Sequence, residues 1–140
     1  MRKLLSIIIA TLSVATLHAT EPSTTYCTVR GSYLVGNTNG YIGSATIDYG
    51  QPRSAKEYLV DDNGKRLHFD SVVILINYMA KAGWKLESTY TQYSRSLTEN
   101  RNLDEFVITI VLSKEITSDE EITEGFMTRK MFESENSINK

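Results

Sequence analysis

One cysteine, two prolines, two histidines and one tryptophan are all that 140 residues carry of those types. A single cysteine excludes a disulfide within the chain, so apolar packing has to hold the fold. The apolar run from Leu4 to about Leu17 falls short of the ~20 residues needed to cross a hydrocarbon core. An excess of positive charge is also missing: 15 basic side chains face 17 acidic ones, which leaves no electrostatic footprint for nucleic acid.

What is present begins with the amino terminus. MRKLLSIIIATLSVATLHAT joins a basic start (Arg2, Lys3) to an apolar stretch and small residues near Ala19, the pattern of a secretory signal. Removing residues 1–19 leaves 121 residues, the size of one domain with one core. It lowers the basic count to 13 and the net charge to −4, and His18 leaves with the signal. The expected location is the periplasm or the exterior, with no membrane span after signal removal.

From residue 25 the sequence reads as an α+β domain. TYCTVRGSYLV alternates Cys27, Val29, Tyr33 and Val35 against Thr28, Arg30 and Ser32, a strand pattern. The cluster GNTNG (36–40) reverses the chain cheaply. YIGSATIDYG then places Tyr41, Ala45, Ile47 and Tyr49 on one side, completing a hairpin. A shorter second hairpin is expected in EYLVDDNGKRLHF, with Asn63-Gly64 in a tight type I′ turn.

Residues 69–86, FDSVVILINYMAKAGWKL, hold the main helix. Asp70 or Ser71 caps its start and Gly83 closes its end. Val72, Leu75, Ile76 and Met79 recur at helical spacing, and Val73 and Ile74 widen the apolar surface, which predicts cover on more than one side. After Gly83, WKLESTYTQY alternates Trp84, Leu86 and Tyr90 against Lys85, Glu87 and Thr89. A polar loop, SRSLTENRN, leads to DEFVITIVLSK, which is apolar on both faces as in a central strand. The order β-β-α-β-β predicts an antiparallel sheet with one main helix on one face, over residues 20–115. For the acidic extension 116–140, the Ser118/Glu121 capping-box pattern predicts a marginal helix over about 119–133 and a disordered end.

Few residues carry chemistry. Cys27 and His68 are the only pair that suggests a nucleophile, and a small hydrolase using them needs the thiol partly exposed and the two side chains in contact. VDDNGKRLHFD has Asp61, Asn63, Gly64 and Asp70 at spacings like those of a calcium loop, but Leu59 would occupy the first ligand position. One cysteine with one histidine cannot close a tetrahedral metal site. Gly36, Gly40 and Gly43 precede a strand and lack the lysine of a phosphate loop. Ser71 lacks a nucleophile elbow. Asp70 with Glu87, or Asp48 with Asp104, supplies carboxylate pairs of unknown separation. No catalytic, cofactor-binding or metal residue is therefore assigned, and no cofactor is expected.

Eight tyrosines remain. Tyr33, Tyr41, Tyr49 and Tyr90 fall on faces expected to be buried, and Tyr26 and Tyr93 on the opposite side, where a ring with a hydroxyl suits a sugar or a protein partner.

The pattern F-D-S-x-x-x-x-I-N-Y-M-x-x-x-G-W-K-L, from Phe69 to Leu86, resembles small uncharacterised exported proteins of Bacteroidetes-type bacteria. In those a helix ending N-Y-M-x-x-x-G-W leads into a strand. The resemblance spans about residues 25–115. It implies an exported, compact α+β fold and supplies no activity. The expectation is a non-catalytic envelope domain that binds a protein or glycan partner, or another copy of itself as a homo-oligomer.

Overall fold

The computed structural model describes residues 21–34, 40–52, 57–98 and 101–138. The segment expected to be a signal, 1–19, and most of the turn expected at 36–40 lie outside them. Along the chain run β1 (Ser23–Leu34), β2 (Ala45–Asp48), α1 (Val72–Lys81), β3 (Lys85–Thr98), β4 (Arg101–Ile116), a 3-10 turn (Asp119–Ile122) and α2 (Arg129–Ile138). The strands form one antiparallel sheet in the order β2-β1-β4-β3, the expected α+β arrangement. The extra hairpin is present as isolated bridges, Thr46 to Tyr58, Val60 to Arg66 and Ile42 to Phe69.

Register decides which side chains share a face. Cys27 lies opposite Leu112, Val29 opposite Ile110 and Gly31 opposite Ile108. Because side chains alternate along a strand, these residues point one way, toward α1. Leu75 and Met79 join them in a single cluster with Ile47, Leu59, Phe69, Trp84 and Phe126. Burying each large side chain there stabilises by about 1.5–3 kcal/mol, enough to outweigh the small helix penalty of β-branched residues.

The ends of α1 follow the sequence. The Ser71 hydroxyl accepts from the Ile74 N–H at 3.2 Å, and the chain leaves through Gly83 at φ 87°. The N–H groups of Gly83 and Trp84 donate to the carbonyls of Ala80 and Met79. A side chain at Gly83 would meet the Lys114 stem at 3.2 Å.

Several expectations need correction. Val73 and Ile74 are 62% and 48% exposed, so α1 is covered on one side only. Among the described residues no further layer covers the outer side of α1, where Val73 and Ile74 lie. Ile42, not Tyr41, enters the core. The regular strand starts only at Ala45, and Ile42 instead pairs with Phe69 through two hydrogen bonds of 2.7 and 3.0 Å.

The buried alternation expected after Trp84 also fails. A bulge lies between Leu86 and Ser88, which shifts side-chain parity by one. Tyr90, past the bulge, turns to the other side and is 51% exposed, whereas Leu86, before it and still opposite Leu112, is 48% exposed on the edge strand. The loop expected at 94–102 is largely strand, with pairing continuing to Thr98 and Arg101. Strand preference depends on context more than on composition, so a polar sequence and strand backbone are compatible there.

The second hairpin turns differently from expectation. A type I′ turn needs positive φ at both central residues, whereas among the described residues only glycines have positive φ, Gly64 at 73°. Asp61 organises the turn instead. Its Oδ1 accepts from the N–H groups of Asn63 at 3.0 Å and Lys65 at 2.8 Å.

The carboxyl-terminal segment is not one helix over 119–133. It breaks at Gly125, φ 88°, where an added Cβ would stand 2.7 Å from that of Ala82. This close approach inserts Phe126 (5% exposed) into the common core. Val60 N–H donates to the Met127 carbonyl at 2.9 Å, and Thr128 is fully buried beside Leu59. Residues 116–132 thus pack on the body, and the helical backbone of α2 continues to Ile138, over residues expected to be disordered, with Ser134 to Ile138 exposed. The Ser118 N–H does donate to Glu121 Oε1 at 3.1 Å. With the Thr117 hydroxyl contributing most, these bonds hold the Glu121 carboxyl below its ordinary range.

Candidate functional site

The sheet has a second face. Even-numbered residues of β1 and odd-numbered residues of β4 point away from α1, and the register sets them in rows across three strands. Tyr26 lies beside Ser113 and Lys85, Thr28 beside Val111 and Ser88, Arg30 beside Thr109 and Tyr90, and Ser32 beside Val107 and Gln92. Thr46 and Asp48 extend the layer on β2. Tyr26, Arg30, Thr46, Asp48, Ser88, Tyr90 and Gln92 are exposed. The result is an open, nearly neutral surface of hydroxyls and two exposed tyrosine rings, 60% and 51% exposed at Tyr26 and Tyr90.

Within it Thr109 is 2% exposed and its hydroxyl has no hydrogen-bond partner. Ser113 donates to the Glu87 carboxylate. A shallow depression of about 230 Å³ is lined by Arg30, Ser32, Ser44, Thr46 and Val107 among others. Such a surface offers stacking area and hydrogen bonds, the chemistry of sugar or polar peptide recognition.

On the helix side, beyond the reach of α1, a row of rings crosses the sheet. Tyr33, Phe106 and Tyr93 are register partners, with centroid separations of 5.4 Å for Tyr33–Phe106 and 5.5 Å for Tyr93–Phe106. Such cross-strand pairs stabilise a sheet that has no helix over it. Tyr93 therefore points to the helix side although it is exposed, and Tyr90 to the open side although it was expected in the core. The bulge before Ser88 accounts for both exchanges.

The residues singled out for chemistry are not assembled. Cys27 is 3% exposed between β2 and β4, and burial, with a smaller effect from Asp48, pushes its thiol up to about 12. A thiol so protonated is a poor nucleophile. His68 is exposed and stacks on Tyr41 with centroids 5.9 Å apart. It borders a groove of about 740 Å³ lined also by Phe69, Ile74, Asn77, Tyr78 and Lys81.

Asp48 pairs with Thr28, which lies opposite Val111, seven positions along β4 from Asp104. Seven rises and two strand spacings separate those backbones by about 25 Å, far beyond the ~5–9.5 Å of a glycosidase pair. Asp70 is exposed ahead of α1, and Glu87 is taken up by Ser113. Asp61 is occupied by its own turn, and no group of three potential metal ligands occurs among the described residues.

Glu57 belongs to no motif in the sequence. It is 6% exposed, neither carboxylate oxygen has a hydrogen-bond partner, and its ion partner is Lys130 of α2 at 3.7 Å. Its sequence neighbours give no sign of this, because its ion partner comes from the distant carboxyl terminus.

No protein-family model, curated protein or solved structure matches this chain. Among the described residues no helix is long and apolar enough to cross a membrane.

Proposed function

We propose that this chain is an exported, non-catalytic domain of the cell envelope that binds a protein or glycan partner through the open face of its sheet. The observation that carries the reading is the face itself: Tyr26 and Tyr90 stand exposed among serine and threonine hydroxyls, with no core role for either ring. Export rests on the amino-terminal signal pattern and on the resemblance of residues 69–86 to small exported proteins of Bacteroidetes-type bacteria.

Retention on immobilised envelope glycans and envelope protein extracts tests the binding. The mature chain should be retained, and Tyr26→Ala with Tyr90→Ala should lower retention at least ten-fold without changing the melting temperature. Equal retention of variant and parent overturns the role of this face. Intact-mass measurement of the exported fraction tests the location, with an amino terminus near residue 20 expected; a full-length chain retained in the cytoplasm overturns it.

A further inference from the structure

The two edges of the sheet are treated differently. At the β2 edge the chain continues the ladder itself: Ile47 N–H donates to the Glu57 carbonyl at 3.0 Å, and Leu59 N–H to that of Ala45 at 2.8 Å. At the other edge stands β3, 14 residues long, and no described element pairs with its outer side. Residues 85–93 are exposed throughout.

Proteins protect such an edge with charges, prolines or bulges. Here the bulge and the charges Lys85 and Glu87 precede Ser88, and the remaining charged residue of β3, Arg95, follows Ser94. From Ser88 to Ser94 the sequence STYTQYS contains no charge, proline or glycine, and its threonines and tyrosines favour strand. This is an unguarded template for another strand.

We propose that a second copy of this chain occupies it, β3 against β3, antiparallel about a two-fold axis at Thr91. Self-complementarity selects both the occupant and the register. An axis at Thr91 sets Thr89 opposite Tyr93, Tyr90 opposite Gln92 and Ser88 opposite Ser94, aromatic and hydroxyl pairs of the kind that stabilise sheets. Just beyond them the register positions of Glu87 and Arg95 face each other with opposite charge. Moving the axis one residue to Tyr90 sets Lys85 opposite Arg95, two like charges. Moving it to Thr89 leaves Lys85 opposite Tyr93 and Glu87 opposite Thr91, without a charge partner for either. A closed two-fold pair then consumes the free edge and prevents open-ended growth.

The axis stands perpendicular to the sheet, so both α1 helices lie on one side. The two open faces join into one eight-stranded surface. The pairing is independent of the binding proposed for that face, since it uses backbone at the edge rather than Tyr26 or Tyr90 as ligands.

Two measurements on the mature chain test it. Light scattering should give the mass of two chains at about 100 µM, and Thr91→Lys should return it to one chain with an unchanged melting temperature. In oxidative crosslinking, Thr91→Cys should form a covalent dimer, because opposed residues bring their Cβ atoms to about 4.5–5.5 Å. Thr89→Cys, displaced by several rises from its own symmetry mate, should crosslink at least ten-fold more slowly. A parent of one-chain mass, or equal crosslinking at the two positions, overturns the proposal, and the crosslinking arm stands even if Thr91→Lys fails to fold. A one-chain protein that still loses ligand on Tyr26→Ala with Tyr90→Ala would overturn the pairing and leave the face reading intact; a dimer indifferent to those substitutions would do the reverse.

Discussion

The two faces of β4 have similar β-branched content and different cover. Ile108, Ile110 and Leu112 are at most 8% exposed beneath α1, while on the other side Thr109 and Ser113 are buried within the sheet surface and Val107 and Val111 remain only partly covered. Apolar content in a central strand therefore does not say which side a helix will take. The adjacent strands decide it: Cys27 and Val29 of β1 align with the covered row, and Thr28, Arg30 and Ser32 with the open one.

Substitution sharpens that contrast most where the covered side is densest. Trp84→Ala should destabilise by about 3–5 kcal/mol, the usual cost of emptying a core aromatic site, read as a lower denaturant midpoint. Trp84 is 2% exposed, with Lys114 Nζ 5.9 Å from its ring centroid. An unchanged midpoint would make the tryptophan a surface residue and erase the distinction between the faces.

Alkaline pH should loosen the covered side next. Burial pushes the Cys27 thiol from its ordinary 9.0 up to about 12 in the folded chain. The folded state thus holds a proton that the unfolded chain gives up, so stability is complete below pH 9 and declines from pH 9 toward 12, by at most ~1.4 kcal/mol per unit. Tyr49 and Tyr78, both raised mainly by burial, add to the decline above pH 10. Thermal melts of Cys27→Ala should lose the part of the slope between pH 9 and 10; a parent curve flat to pH 11 would mean that the thiol is hydrated.

Gly125→Ala should cost about 1–3 kcal/mol, as forced overpacking does, because the new methyl would meet Ala82 at 2.7 Å at a positive φ. That result would extend the covered side into the carboxyl terminus, and a neutral one would detach it. The smallest effect belongs to the open face. Tyr26→Ala and Tyr90→Ala should each shift stability by less than about 0.5 kcal/mol, and a larger loss would mean that this face has a hidden cover.

Local chemistry was the most legible part of the sequence. Ser71, Gly83, Leu75 and Met79 occupy the roles that helix caps and helical spacing assign them, because those signals act over a single turn. Strand residues were read less well, since their facing depends on an unbroken count of two. One extra residue at Glu87 exchanged Tyr90 and Tyr93, and the late start of β2 at Ala45 exchanged Tyr41 and Ile42. The strand character of 94–98 and 101–102 was hidden for a different reason: a polar composition does not by itself tell a loop from a strand. Of the candidate site, the exposure of Tyr26 was legible, while the open face as a surface depended on a register that no local pattern encodes. The insertion of Phe126 was equally hidden, because it requires contacts with residues more than forty positions earlier.

The place of β1, between β2 and β4, bears on how the chain comes to be built. Synthesis runs from the amino terminus, so the first strand waits with one side unmatched until residues 105–116 emerge to lie along it, and the last gap in the interior is filled only by Phe126. A chain that ends short of that point carries a half-matched first strand and an unfilled interior, so the fold can close only once nearly all of the sequence is present.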